Sequence, residues 1–167
     1  MVSVTDTRTE ADDESGKILI EKLGGAGHKI VKRSIVTDDK EKIWAILEEA
    51  AAAKQTDAVI LNGGTGVAPR DSTIEAVESF IEKEIQGFGE LLRRLSYDEI
   101  GTSAILSRAT AGVGHGIIVI ALPGSKNSVE LAIEKIILPE LGHMVYEMRK
   151  PSKGPKKVDS GQQTADS

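Results

Sequence analysis

The chain has no cysteine among its 167 residues. That absence excludes disulfides, thiol catalysis, iron–sulfur clusters and cysteine-ligated zinc. Aromatic residues are nearly as scarce. Trp44, Phe80, Phe88, Tyr97 and Tyr146 are all there are, too few and too scattered for a base-stacking platform. Basic residues do not dominate either: 21 Lys and Arg stand against 26 Asp and Glu, a formal charge of −5. A nucleic-acid binder wants a basic footprint, so no nucleic-acid partner is expected. Long apolar runs are missing as well. The longest, from Gly116 to Leu122, has strand length and falls far short of the ~20 residues of a membrane span. Asp6, Glu10, Asp12 and Asp13 interrupt the first stretch, so no signal peptide is expected. The expectation is a cytoplasmic protein with no membrane segment.

What is present is a regular alternation of short β-branched runs with longer helical patterns. Val2–Thr5, His28–Val36, Asp57–Leu61 and Gly116–Leu122 read as strands. The last two barely alternate, as strands buried on both faces should. Glu14–Gly24, Asp38–Ala53, Ser72–Lys83 and Val129–Leu138 read as helices. Ile43, Ile46, Leu47 and Ala50 form one apolar stripe, and Ile74, Val77 and Ile81 another. The stretch from Gly87 to Thr110 is helical in pattern but broken. The fold class that follows is α/β, a three-layer sandwich with a mostly parallel sheet. Residues 1–149 make one domain of about the usual size. Residues 150–167 carry four lysines against two aspartates without periodicity, and are expected to be a disordered basic tail.

In such sheets the ligand crevice lies beyond the carboxyl ends of the strands. Four loops follow the predicted strands: Thr5–Thr9, Thr37–Asp39, Asn62–Asp71 and Pro123–Lys126. Asn62-Gly63-Gly64-Thr65-Gly66 is a glycine turn whose N–H groups can approach a ligand with no Cβ in the way. A plain strand-to-helix turn would look the same. It is neither the dinucleotide fingerprint nor a P-loop. Pro123-Gly124-Ser125-Lys126 is a second such turn, with Lys126 as a charge suited to phosphate. Ser125 also suits a helix N-cap. Two glycine turns at one sheet edge point to a ligand with more than one anionic group.

Asp38 and Asp71 stand at the starts of two helices. Asp38 with Glu41, and Ser72 with Glu75, have capping-box spacing. The alternative is that both carboxylates converge to hold Mg²⁺ against phosphates. Arg70 suits a phosphate or a salt bridge to Asp71. His28, His115 and His143 are isolated and are read as neither metal ligands nor triad members.

Taken together the loops carry a long composite motif. Gly63-Gly-Thr-Gly66 is followed by Arg70-Asp71-x-Thr73-x-Glu75-Ala76, then Gly87-Phe-Gly-Glu90, Arg93, Ser96, Ser107-Arg108 and Pro123-Gly-Ser125. Val4-Thr-Asp6-Thr-Arg-Thr9 opens the series. In this order and spacing the chain resembles molybdopterin-binding proteins of molybdenum cofactor biosynthesis, of the MoaB and MogA type, over about residues 2–149. The resemblance implies the MogA-like fold and a Mg-dependent adenylylation of molybdopterin by ATP, which yields adenylylated molybdopterin and pyrophosphate. It places catalysis and metal binding on Asp38 and Asp71. Substrate contacts fall to Asp6, Gly63, Gly64, Thr65, Gly66, Arg70, Glu90, Ser107, Arg108, Pro123, Gly124, Ser125 and Lys126. Glu90 would bond the pterin or a ribose, or merely pair with Arg93. The resemblance also implies a trimer or hexamer, with the molybdate-insertion enzyme as a further partner. The alternative it leaves open is a molybdopterin-binding or scaffold protein of the same pathway, without catalysis. Two departures stand out. Residue 62 is Asn where the family commonly has Thr, and the family usually carries a short segment ahead of its first strand.

Overall fold

The computed structural model describes residues 1–151. Six strands form one sheet: β1 (Val2–Val4), β2 (Ser34–Val36), β3 (Ala58–Asn62), β4 (Lys83–Glu84), β5 (Thr110–Gly114) and β6 (Ile117–Leu122). Six helices accompany them: α1 (Glu14–Gly25), α2 (Lys40–Ala52), α3 (Thr73–Phe80), α4 (Gln86–Ile100), α5 (Lys126–Ala132) and α6 (Leu138–Arg149). A 3-10 turn (Gly101–Leu106) follows α4, and a π-helical turn (Ile133–Ile137) joins α5 to α6. The strand order is β2-β1-β3-β6-β5-β4. The first four in that order are mutually parallel, and β5 runs antiparallel to both its neighbours.

The period of two along each strand splits the core into two layers. Ile60, Ala111, Ile118, Ile120 and Leu122 face Leu19 and Leu23 of α1, Phe88 and Leu92 of α4, and the α5–α6 run. Val2, Val4, Val59, Leu61, Ile117, Val119 and Ala121 face Ile43 and Leu47 of α2 and Ile74, Val77 and Phe80 of α3. Both faces of the sheet are therefore covered, which is why β3 and β6 read as unbroken apolar runs. The expected three-layer α/β architecture is present.

Several elements differ from the sequence expectation. Only Ser34–Val36 of the expected His28–Val36 strand pairs, because β2 is an edge strand whose one neighbour, β1, is three residues long. The expected Ser72–Lys83 helix stops at Phe80 and gives way to β4, and the broken stretch ends at Thr110, the start of the β5–β6 hairpin. Gly112 and Gly114 weakened the strand signal of β5. They are glycines because a Cβ would stand 2.6 Å from the Lys83 carbonyl and 2.7 Å from the Phe80 carbonyl. The last helix does not stop at Leu138 but continues to Arg149. Pro139 lies in the first turn of α6, directly after the wider π-helical turn that accommodates its missing N–H. Among the described residues no helix is long and apolar enough to cross a membrane. Residues 152–167, most of the expected tail, lie outside the described residues.

Candidate functional site

Parallel β1, β2, β3 and β6 end at one edge of the sheet. Their carboxyl ends release Thr5-Asp6, Thr37-Asp38, Gly63 and Pro123-Gly124 there. Antiparallel β5 brings its amino end to the same edge, since Thr110 pairs with Ala121. Ser107 and Arg108 thus arrive beside the glycine turns from the other chain direction.

The first glycine turn is shaped by its neighbours. Gly63 and Gly64 have φ of +101° and +65°, which L side chains rarely adopt. A Cβ on Gly63 would stand 2.2 Å from the Val4 carbonyl oxygen. One on Gly64 would stand 2.4 Å from Thr73 Oγ1 and 2.6 Å from Asp38 Oδ2. One on Gly66 would stand 2.5 Å from Asp71 Oδ2. The Gly63 N–H donates to the Leu122 carbonyl at 3.0 Å, and Thr73 N–H donates to the Gly64 carbonyl at 3.0 Å. The second turn touches the first: a Cβ on Gly124 would stand 3.0 Å from Gly63 Cα.

The two aspartates sit against this turn, each by a different local device. Asp38 is not the N-cap of α2. That role belongs to Asp39, whose side chain accepts from Lys42 N–H at 3.0 Å and is thereby held below the usual carboxylate range. Asp38 is left to reach across to α3, where its Oδ1 accepts from Ser72 N–H at 3.0 Å and Ser72 Oγ at 2.7 Å. Its own N–H donates to Asp6 Oδ1 at 3.1 Å. Asp71 closes the 66–71 loop by accepting from Ala68 N–H at 3.0 Å. The Ser72–Glu75 capping box does not form: the Ser72 hydroxyl goes to Asp38 and the Glu75 carboxylate goes to Arg108.

Arginines tie the loops together. Arg70 pairs with Asp6 rather than with Asp71. Arg108 donates Nη1–H to the Gly66 carbonyl at 2.8 Å and Nη2–H to Glu75. Burial pushes the Glu75 carboxyl up, but the Arg108 guanidinium outweighs it and leaves the group below its ordinary value. Arg8 reaches the Gly124 carbonyl at 3.4 Å.

Most of the expected site is thus one cluster: Asp6, Asp38, Gly63, Gly64, Gly66, Arg70, Asp71, Arg108 and Gly124. Thr65 is buried within the turn. Ser125 is the N-cap of α5, accepting from Ser128 N–H at 3.3 Å. With Lys126 and Ser96 it lines a small cavity of about 330 Å³. Glu90, at the start of α4, is exposed and forms no ion pair with Arg93 among the described residues. The backbone N–H of Ser107 bonds the Ala104 carbonyl. A cavity of about 590 Å³ lies elsewhere. It is lined by Val2, Leu23, Ile30, Ile60 and Leu141 near the amino ends of the strands, and none of the motif residues enters it.

Sequence reading missed two parts of the arrangement. Thr73 is fully buried with its Oγ1 unpartnered beside Gly64 and Asp38; its place two residues after Asp71 was the available signal. Beneath the turns lies a buried network of Asp13, Ser3, Asn62 and Arg33. Asp13 is shielded from solvent. Burial pushes its carboxyl up, but the Ser3 hydroxyl, the Gly16 N–H and the Arg33 guanidinium together hold it below the usual range. Nothing in the local sequence separates this aspartate from an ordinary helix cap.

The chain is similar to known proteins over most of its length. The family model described as "Probable molybdopterin binding domain" matches residues 1–143. Molybdenum cofactor biosynthesis protein B of Bacillus subtilis is 50% identical over 151 residues, spanning 90% of this chain and 89% of that protein. A probable molybdopterin adenylyltransferase of Methanocaldococcus jannaschii is 41% identical over 156 residues, 89% of this chain and 92% of that protein. A crystal structure of molybdenum cofactor biosynthesis protein B superposes with a TM-score of 0.85 at 50% identity, covering 88% of this chain and 92% of that one. The sequence motifs, the sheet topology and these likenesses agree, and the chain belongs to the molybdopterin-binding family of molybdenum cofactor biosynthesis proteins, of the MoaB and MogA type.

Proposed function

We propose that this protein transfers the adenylyl group of ATP to molybdopterin. The observation that carries the reading is the seating of Asp38 and Asp71 against Gly64 and Gly66 of one turn, so close that a Cβ at either glycine would strike a carboxylate oxygen. A turn that served only as a connection would not need both carboxylates there. The name of the Methanocaldococcus relative points the same way.

An oxygen of the molybdopterin phosphate bonds to the α-phosphorus of ATP, the bond from that phosphorus to the β-phosphate bridge breaks, and pyrophosphate leaves. The attacking oxygen is already anionic, so no strong base is required. Positioning and charge neutralisation are the protein's share. The Gly63–Gly66 and Pro123–Lys126 turns offer N–H donors to phosphate oxygens. Arg108 and Arg70 stand at the same edge as cations. The donors present suit Mg²⁺. Asp38 Oδ2 and Asp71 Oδ1 take no hydrogen bond among the described residues, and the Thr73 hydroxyl nearby is buried and unpartnered. These are hard oxygens, and Mg²⁺ is commonly held by one or two carboxylates plus substrate phosphates. Asp38 and Asp71 would hold the ion, which when bound supplies charge neutralisation at the phosphates.

Self-association belongs to the same reading. Ile100, Ile105 and Leu106 are exposed apolar residues at the end of α4 and in the 3-10 turn, just ahead of Arg108. They are natural material for contact between copies, and light scattering reads the outcome directly.

Purified protein with molybdopterin, ATP and Mg²⁺ should release pyrophosphate, and Asp71→Ala should lose turnover by about 100-fold or more while staying folded. Wild-type protein that forms no adenylylated product overturns the proposal. Molybdopterin binding that survives Asp71→Ala and is indifferent to ATP would instead identify a non-catalytic carrier.

A further inference from the structure

The first turn of α1 reaches both glycine turns from beneath. On one side, Asp13 Oδ2 accepts from Ser3 Oγ at 2.5 Å and from Arg33 Nη2 at 3.1 Å, while its Oδ1 accepts from Gly16 N–H at 3.0 Å. Ser3 Oγ also donates to Asn62 Oδ1 at 3.0 Å. Asn62 is the last residue of β3, and Gly63 follows it. The Ser3 hydroxyl is thus the donor between two acceptors, the Asp13 carboxylate and the Asn62 amide oxygen, and holds both side chains in place. On the other side, Ser15 Oγ donates to the Gly124 carbonyl at 2.9 Å. Ser3, Asp13, Ser15 and Asn62 are all buried. Gly16 is small for the same reason: a Cβ there would stand 2.0 Å from Asp13 Oδ2 and 2.8 Å from Ser3 Oγ.

A buried ion pair is a poor way to gain stability, because well-packed apolar residues of similar volume usually serve at least as well. What this one does have is geometry. It locks the side chain just ahead of the first glycine turn, two residues along α1 from the hydroxyl that locks the second. The two turns touch at Gly63 and Gly124, so their spacing is set by the same short piece of backbone.

We infer that the first turn of α1 is a positioning element, with Asp13 acting through Ser3 and Asn62 on the Gly63–Gly66 turn and Ser15 acting directly on Gly124. Neither residue touches substrate; both set where the N–H donors point. The inference rests on the proposed adenylylation for its effect on turnover, but its structural half does not.

The test uses the full chain as wild type, Ser15→Ala, Ser15→Thr and Asp13→Asn. Two readouts are taken: pyrophosphate release, and amide hydrogen exchange of the ligand-free protein. Asp13→Asn should speed exchange at Gly64–Gly66 and leave Gly124 near wild type. Ser15→Ala should do the reverse. Each should lower turnover about tenfold, a small displacement at the reacting centre being enough, and Ser15→Thr should restore the hydroxyl and most of the rate. A general loss of stability would instead accelerate exchange at both turns and throughout the sheet together, and that pattern overturns the inference. So does exchange within twofold of wild type at both turns in Ser15→Ala and Asp13→Asn. If Asp13→Asn fails to fold, Ser15→Ala and its Thr rescue decide the matter. Wild-type protein without turnover counts against the adenylylation alone, because the exchange measurements still judge the positioning role.

Discussion

Ser72 holds Asp38 twice: its backbone N–H and its hydroxyl both donate to the same carboxylate oxygen, at 3.0 and 2.7 Å. The start of α3 thereby fixes a side chain from the loop after β2. This spares the second carboxylate oxygen, which lies against Gly64.

Ser72→Ala removes one of those two donors and keeps the other. We expect a stability loss of about 1 kcal/mol, the usual worth of one hydrogen bond, read from a urea midpoint. Pyrophosphate release should fall several-fold with the circular dichroism spectrum unchanged. Turnover equal to wild type would show that the hydroxyl is not needed to aim Asp38.

Gly64→Ala and Gly66→Ala should differ in kind. At Gly64 the backbone has φ of +65°, and the new methyl meets Thr73 and Asp38. A loss of roughly 2 kcal/mol or more is expected, together with loss of turnover. Gly66 has no positive φ, and its methyl meets only the Asp71 side chain, which can rotate aside. That variant should melt near wild type yet turn over poorly. Equal melting points for the two would contradict this account of the turn.

Arg108→Lys should uncouple fold from activity. The guanidinium spans two acceptors on separate elements, the Gly66 carbonyl and Glu75, and an ammonium cannot reproduce that fork. The expected result is a drop in turnover of about tenfold with a thermal midpoint near wild type. A fully active variant would remove Arg108 from the site.

Asp13 gives a pH dependence with a definite sign. Its carboxyl is depressed in the folded protein, so the stability it contributes is complete above its ordinary unfolded value of about 4. That contribution is lost as pH falls below this value, through the folded one. The gap in urea midpoint between wild type and Asp13→Asn should hold steady from about pH 8 to about pH 5 and shrink below about pH 4. A gap that widens on acidification would mean that the carboxylate is not the stabilised form.

Much of this protein is decided by local pattern. Unbroken apolar runs place β3 and β6, a short β-branched run places β1, and the 3.6 period places the stripes of α2 and α3, because a helical side chain's face depends only on its position along the element. Two covered faces then follow from two unbroken apolar strands. The motif residues are legible too, since a parallel sheet delivers the loops after its strands to one edge. Whether Asp38 caps a helix or serves a ligand is not a local property. Asp39 is the neighbour that takes the cap, and Ser72, thirty-four residues away, is what holds Asp38. The strand nature of β5 was hidden for a similar reason. Its glycines answer to the Phe80 and Lys83 carbonyls across the sheet edge, not to their own neighbours in sequence. Asp13 reads as an ordinary cap until the fold brings Ser3, Asn62 and Arg33 around it. Periodicity acts within a single element and is written in the sequence. The choice of partner for a polar side chain is made between elements, and only the packed chain makes it.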